Sequence, residues 1–149
     1  MKICVVDCSY FLSFIMPDEK NNDIDLAAYS VFVPSIFFLE CMNVLKTALK
    51  KQRITQVQYE ECMWAFKDLP FNVDHFSSTQ ESLQTISRLS LEHNLTSYDA
   101  SYVELASRLS ASLGTLNKKM IDVCFLKNIE FLDKNILCSP SNDIDKIKL

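Results

Sequence analysis

An apolar run that ends in an acid opens the chain: Ile3-Cys4-Val5-Val6-Asp7-Cys8-Ser9. An uninterrupted run rich in β-branched residues is typical of a strand buried on both faces of a parallel sheet. The acid stands at the carboxyl end of that strand, and the loops beyond this edge form the binding crevice of open α/β sheets. The stretch therefore predicts an α/β fold with a polar site that includes Asp7.

Strand and helix patterns alternate along the rest of the chain. Further strands are predicted at 31–33, 71–73, 111–116 and 129–132, and helices at 10–14, 35–51, 55–69, 78–93, 96–109 and 117–126. Pro34 suits the entry of the helix after the second strand. Capping-box patterns begin three of the helices: Thr55-x-x-Gln58, Ser78-x-x-Glu81 and Thr96-x-x-Asp99. This alternation predicts a sandwich of helices around a parallel sheet.

The organisation predicted is one domain at residues 1–137 and a polar tail at 138–149, for which we expect little fixed structure. Residues 17–25 are also polar and predict a surface loop. No internal repeat divides the chain.

Composition excludes several classes of function. Gly114 is the single glycine among 149 residues, so neither a phosphate-binding loop nor a dinucleotide fingerprint is present. A formal net charge of -4 argues against binding nucleic acid by bulk attraction, which needs an electropositive surface. An enzyme that holds a few phosphates through a metal ion remains compatible with this charge.

Cysteine usage predicts a reducing compartment. The six cysteines form no CxxC pair and neither histidine lies near them in the sequence, which makes a zinc cage improbable. We expect them to serve as small apolar residues in a cytoplasmic protein. The opening run meets its first acid too early for a secretory signal, and no apolar stretch is long enough to span a bilayer.

Four polar residues are predicted to lie at the same edge of the sheet, at the carboxyl ends of the strands. Asp7 and Asn117 each follow a predicted strand, while Glu40 and Asp99 lie in helices beside that edge. Asp99 and Asn117 also suit plain helix-capping roles. Glu40 has apolar neighbours on both sides, so it must protonate, find a cation or bind a metal. Asn43 shares its helix face.

The chain resembles PIN-domain ribonucleases of the VapC toxin type. The similarity runs from about residue 2 to residue 132. Four stretches carry it, in the order that the family has them: 5–9, 33–45, 95–102 and 113–119. The resemblance implies a three-layer α/β/α sandwich with a central parallel sheet. It also implies clustered acids that hold Mg²⁺ or Mn²⁺ and cleave RNA, a homodimer, and a VapB-like antitoxin that covers the cleft.

The family's functional positions carry over residue by residue. Asp7, Glu40 and Asp99 match the first three acids, and Ser9, Thr96 and Asn43 match the polar positions that support them. Asn117 stands where the family usually has a fourth acid. Lys118 and Lys119 follow it directly, and they are candidates for contacts to RNA, although solvated helix faces are their ordinary role.

Asn117 leaves two alternatives open. As a helix cap it equals an aspartate, but as part of a metal site it lacks one negative charge. Three acids either still hold one metal ion and give an active, weaker ribonuclease, or the domain acts as an RNA- or antitoxin-binding module with impaired catalysis. Such a module needs a surface that binds its partner. The apolar candidates are either that surface or part of the hydrophobic core: Phe11, Phe14, Ile15, Met16, Trp64 and Phe66.

Phosphoryl-transfer folds are a further rival, because they also place an aspartate at the end of the first strand. A haloacid-dehalogenase-like phosphatase needs an acid two residues after Asp7, and Ser9 occupies that position. This rival class is therefore disfavoured.

Overall fold

The computed structural model describes residues 1–19 and 26–132. Within these ranges the strands are β1 (Lys2–Val6), β2 (Tyr29–Pro34), β3 (Asn72–Asp74) and β4 (Ser112–Gly114). The α-helices are α1 (Cys8–Ile15), α2 (Phe37–Lys50), α3 (Gln56–Lys67), α4 (Leu83–His93), α5 (Ser97–Arg108) and α6 (Lys118–Lys127). The tail predicted at 138–149, and residues 20–25 of the predicted loop, lie outside the described residues.

The four strands form one parallel sheet in the order β3-β2-β1-β4. Val5 in the central strand pairs with Phe32 of β2 on one side and with Leu113 of β4 on the other. Helices flank the sheet, which confirms the three-layer α/β/α sandwich. Because β1 and β4 are neighbours, the residues that follow them meet at one edge, where the Asp7 N–H donates to the Gly114 carbonyl at 2.9 Å.

The core lies around β1. Cys4, Val5 and Val6 have no exposed surface, as expected for the middle of a parallel sheet covered by helices on both faces. The five cysteines of the described ranges are free and buried, as predicted, while Cys138 lies outside those ranges. No helix in the described part of the chain has the length and apolarity needed to cross a bilayer.

The single glycine is required by packing. A Cβ atom built on Gly114 would stand 2.8 Å from Cδ1 of Tyr10, a distance that real Cβ contacts do not reach. The Tyr10 ring on α1 therefore lies directly against the backbone of β4. This close approach brings the start of α1 to the chain that follows β4, where the polar residues gather.

Three helix starts confirm the sequence patterns. Thr55 and Gln58 form the full capping box, with the Gln58 N–H donating to Thr55 Oγ1 at 3.1 Å and the Thr55 N–H donating to Gln58 Oε1 at 2.9 Å. Thr96 caps α5 by accepting from the Asp99 N–H, although the reciprocal hydrogen bond of the predicted capping box is not present there. Asn117 caps α6 by accepting from the Lys119 N–H.

The capping box predicted at Ser78 is wrong. Two 3₁₀ turns, Phe76–Ser78 and Gln80–Ser82, occupy this region, and α4 begins only at Leu83. The Ser78 hydroxyl instead forms a hydrogen bond with the hydroxyl of Ser35 in the connection between β2 and α2. The Ser78 side chain thus bonds to a residue distant in the sequence instead of capping a helix.

Strand lengths also differ from the prediction. β4 covers Ser112–Gly114 rather than 111–116, because the chain turns at Thr115 toward α6. The strand predicted at 129–132 is reduced to one bridge between Leu113 and Phe131. Pro34 ends β2 instead of entering the helix, which begins at Phe37.

Most of the apolar residues considered as a partner surface belong to the core. Phe11 is 4% exposed, and its ring centroid lies 5.3–5.8 Å from those of Phe37, Phe66 and Phe71. Met16 is fully buried, and Phe14, Ile15 and Phe66 pack against the core while partly buried. Of that set only Trp64 is largely exposed, at 68%. The core alternative is therefore confirmed for Phe11 and Met16, while Phe14 and Ile15 keep part of their surface exposed.

Candidate active site

A cleft of about 420 Å³ opens where the chain leaves β1 and β4. Its lining brings together residues that are far apart in the sequence, including the three predicted acids and three predicted polar neighbours: Asp7, Glu40, Asp99, Ser9, Asn43 and Asn117. Glu19 is a further acid in the lining that was not predicted from the sequence as a site residue. Among the described residues, no lysine, arginine or histidine lines the cleft.

Asp7 is the most buried of these acids, at 5% exposed. It is the N-cap of α1, and its Oδ1 accepts from the Tyr10 N–H at 2.8 Å and from the Ser9 hydroxyl at 2.7 Å. Its Oδ2 accepts from the hydroxyl of Thr115. Burial raises the pKa of Asp7, the three donors oppose that shift, and the nearby charge of Asp99 raises the pKa further.

Two hydroxyl groups join Asp7 to the turn after β4. Ser9 Oγ donates to Asp7 and accepts from the Leu116 N–H at 3.2 Å. Thr115 Oγ1 donates to Asp7 and accepts from the Asn117 N–H at 3.0 Å. Thr115, which is 2% exposed, was not predicted from the sequence as a site residue. Its only signal was a hydroxyl at the end of a strand predicted to adjoin that of Asp7.

Glu40 lies in the first turn of α2, with Asn43 one turn further along the helix on the same cleft wall. Its Oε1 accepts from the hydroxyl of Tyr102 at 2.6 Å. Burial raises the pKa of Glu40, the Tyr102 hydrogen bond lowers it, and the charges of Asp99 and Asp7 raise it. The sequence predicted that Glu40 would protonate, pair with a cation or bind a metal. Within the described residues it pairs with no cation.

Asp99 faces Asn117 across the cleft. Asn117 Oδ1 accepts from the Lys119 N–H at 3.0 Å, and this bond identifies which end of the amide is the oxygen. The amide nitrogen therefore points the other way and donates to Asp99 Oδ2 at 3.3 Å. Burial raises the pKa of Asp99, while the Thr96 hydrogen bond and the charge of Lys119 lower it.

The remaining predicted residues lie around the cleft rather than in it. Thr96 is the N-cap of α5 and acts on Asp99 from the helix start. Lys118 and Lys119 are exposed in the first turn of α6. Asp122, considered as a substitute for the missing fourth acid, is exposed and does not line the cleft.

The acidic side chains of the cleft are oxygen donors of the kind that bind a divalent metal ion. Within residues 1–19 and 26–132, no three Cys, His, Asp or Glu side chains are grouped closely enough to hold a metal. The cleft carboxylates also have protein partners, since both oxygens of Asp7 accept protein donors and the Asn117 amide donates to one oxygen of Asp99. Carboxylate oxygens are nevertheless the ligands that Mg²⁺ prefers, and this ion needs only one or two of them because it keeps several waters. The residues fit a largely hydrated ion and do not form a closed cage.

Comparison with known proteins gives a distant sequence relative and solved structures of similar fold. No protein-family model matches the chain. The chain is 26% identical over 124 residues to Ribonuclease VapC3 of Pyrobaculum aerophilum, which covers 79% of this chain and 92% of that protein. The crystal structure of PAE2754 from Pyrobaculum aerophilum matches with a TM-score of 0.64 at 21% identity, over 92% of this chain and 94% of that one. The chain is therefore a distant relative of a VapC ribonuclease and shares the fold of the solved structure.

Proposed function

We propose that the protein is a metal-dependent endoribonuclease, the toxin of a toxin–antitoxin pair. One observation carries the proposal: Asp7, Glu40 and Asp99, from three separate elements, line a single cleft that contains no basic side chain among the described residues. Like charges are costly to gather unless a cation joins them. The distant relationship to Ribonuclease VapC3 supports RNA as the substrate.

Asp7, Glu40 and Asp99 would hold Mg²⁺ or Mn²⁺. When bound, the ion supplies a water of lowered pKa and positive charge opposite the attacked phosphate. Either ion suits the site because both accept carboxylate and water oxygens.

The chain's own residues supply the positioning. Three donors hold the Asp7 carboxylate, two of them in the turn of chain that begins α1. The Asn117 amide donates to one oxygen of Asp99, a residue of the cleft lining. Lys118 and Lys119 lie exposed beside Asn117, where they would contact phosphates of the RNA strand. Such local contacts are compatible with the overall charge of -4.

Asn117 supports a second candidate function. Its amide gives Asp99 a neutral donor at the position where the family usually has a carboxylate. If this exchange removes metal binding, the protein works as an RNA- or antitoxin-binding module with impaired catalysis. We favour the enzyme because Mg²⁺ needs only one or two carboxylates.

The proposed partners follow from the same cleft. A VapB-like antitoxin would place a cationic side chain among the acids, with apolar anchors on either side. Leu12, Val44 and Leu116 are apolar residues of the cleft lining suited to such anchors. A homodimer is proposed on the family resemblance alone. Co-expression with a small open reading frame adjacent to the gene should relieve growth arrest.

The experiment is an RNA cleavage assay on the purified protein with Mn²⁺ or with EDTA, using tRNA and mRNA substrates. We expect cleavage with Mn²⁺ only, and Asp7→Asn or Asp99→Asn should abolish it. Asp122→Asn is the matched control, because it removes an exposed acid outside the cleft and should leave the rate unchanged. Absence of metal-dependent cleavage of every substrate would favour the binding module instead.

A further inference from the structure

The hydroxyl of Tyr102 lies among the cleft acids, although neither its ring nor its position suggested a role from the sequence. Tyr102 is on α5, one helical turn after Asp99, and is 1% exposed. Its side chain nevertheless contributes to the cleft wall. The ring is therefore buried while its polar end faces the cleft.

We propose that Tyr102 is a positioning residue, which holds the carboxylate of Glu40 in the orientation that serves the cleft. This inference rests on the proposed function and deepens it. The Tyr102 hydroxyl donates to Glu40 Oε1 at 2.6 Å, across 62 residues of sequence. A hydrogen bond to an ionised carboxylate is short and strong compared with one between neutral groups.

Glu40 needs such a partner more than the other acids do. Asp7 accepts from three donors and Asp99 accepts from Asn117. Within the described residues, Tyr102 is the single side chain that donates to Glu40. A glutamate also has one more rotatable bond than an aspartate, so its carboxylate has more orientations to lose. Without the hydroxyl, the Glu40 carboxylate would be free to turn.

Tyr102 is suited to this task because its ring is immobilised by burial. A tyrosine has two side-chain torsions, and a packed interior allows neither to change without cost. Its single proton is donated to Oε1 of Glu40, and no described side chain donates to Oε2 of this cleft residue. The hydroxyl thus selects which oxygen of Glu40 is presented, and groups held in place before a ligand arrives bind it with a smaller loss of entropy.

A merely structural role is the alternative, in which the ring fills the core and the hydroxyl only finds an acceptor. Tyr102→Phe separates the two roles, because it keeps the ring and removes the hydroxyl. Tyr98→Phe is the matched control: Tyr98 is on the same helix, 59% exposed, and outside the cleft lining.

The test combines Mn²⁺ titration calorimetry with cleavage kinetics for the wild type, Tyr102→Phe, Tyr98→Phe, Glu40→Gln and the double variant Glu40→Gln/Tyr102→Phe. We expect Tyr102→Phe to weaken Mn²⁺ binding and lower kcat by about 10-fold each, with a small change in KM. Tyr98→Phe should match the wild type. In the Glu40→Gln background, Tyr102→Phe should cause no further loss, because its effect acts through that carboxylate.

Equal Mn²⁺ affinity and kcat in Tyr102→Phe and the wild type would overturn the inference, as would an undiminished loss in the Glu40→Gln background. If the wild type binds Mn²⁺ but cleaves no RNA, the proposed function fails, and the Mn²⁺ affinities still decide the role of Tyr102. If Tyr102→Phe does not fold, carbon NMR of ring-labelled tyrosine replaces it. The Tyr102 Cζ resonance should then shift in Glu40→Gln, and an unchanged resonance would overturn the inference.

Discussion

Asn117→Asp is the most informative single substitution in this protein. The new carboxylate would keep one oxygen on the Lys119 N–H, because aspartate and asparagine cap helices equally well. Its second oxygen would replace the amide nitrogen that now stands 3.3 Å from Asp99 Oδ2. A hydrogen-bond donor is thereby exchanged for a like charge at nearly the same place.

The size of the effect follows from Coulomb's law. Two unit charges about 4 Å apart at an effective dielectric of about 20 repel by roughly 4 kcal/mol. Both residues are partly exposed, so screening by water reduces this, and we expect a loss of about 1 to 2 kcal/mol in the free energy of unfolding without metal. The repulsion also raises the pKa of the pair, so the loss should disappear at acidic pH as one carboxyl group protonates.

A divalent cation should reverse the loss. Two facing carboxylates bind it more tightly than one carboxylate and one amide, and each 10-fold gain in affinity is worth about 1.4 kcal/mol. Thermal unfolding followed by circular dichroism should therefore give a lower Tm than wild type in EDTA and a larger rise with excess Mn²⁺. The rate of RNA cleavage with Mn²⁺ should increase as well.

Asn117→Ser is the control for this experiment, since serine caps a helix but brings no charge. It measures the cost of losing the donor to Asp99 alone. The reasoning is refuted if Asn117→Asp is as stable as Asn117→Ser in EDTA and binds Mn²⁺ no more tightly. Residue 117 would then lie outside the electrostatic field of the cleft.

Three further predictions concern packing, pH and RNA contacts. Gly114→Ala should cost about 1 to 3 kcal/mol in urea unfolding, because the Cβ would press on the Tyr10 ring; unchanged stability would contradict that packing. Burial raises the pKa of the three cleft carboxyl groups, so the folded protein retains protons that the unfolded chain has lost. In metal-free buffer the free energy of unfolding should therefore rise as the pH falls from neutral through the raised pKa values toward the ordinary ones. Replacing one of these acids by its amide should make the free energy of unfolding depend less steeply on pH. Charge reversal at Lys118 and Lys119 should weaken RNA binding and reduce the slope of log affinity against log salt by about 1 to 2, whereas reversal of Lys127 at the other end of α6 should not.

Local signals in the chain were sufficient for most of the architecture. Cys4, Val5 and Val6 before Asp7 are buried because the middle of a parallel strand between helices has no solvent-facing side. The alternation of strands and helices is compatible with only a few sandwich architectures. Thr55, Thr96 and Asn117 cap helices because their partners are only two or three residues away. The convergence of the acids could also be anticipated, since parallel strands end at the same edge of a sheet.

Hydrogen bonds between distant segments could not be anticipated in this way. Thr115 reaches Asp7 across 108 residues and Tyr102 reaches Glu40 across 62, and no local pattern marks either bond. Ser78 has a good capping sequence, yet a serine from another segment competes for its hydroxyl. A side chain with one proton to donate serves whichever acceptor the packed chain brings nearest. Tertiary packing therefore decides which donors face which acids. The order of strands and helices is determined by patterns among residues only a few positions apart.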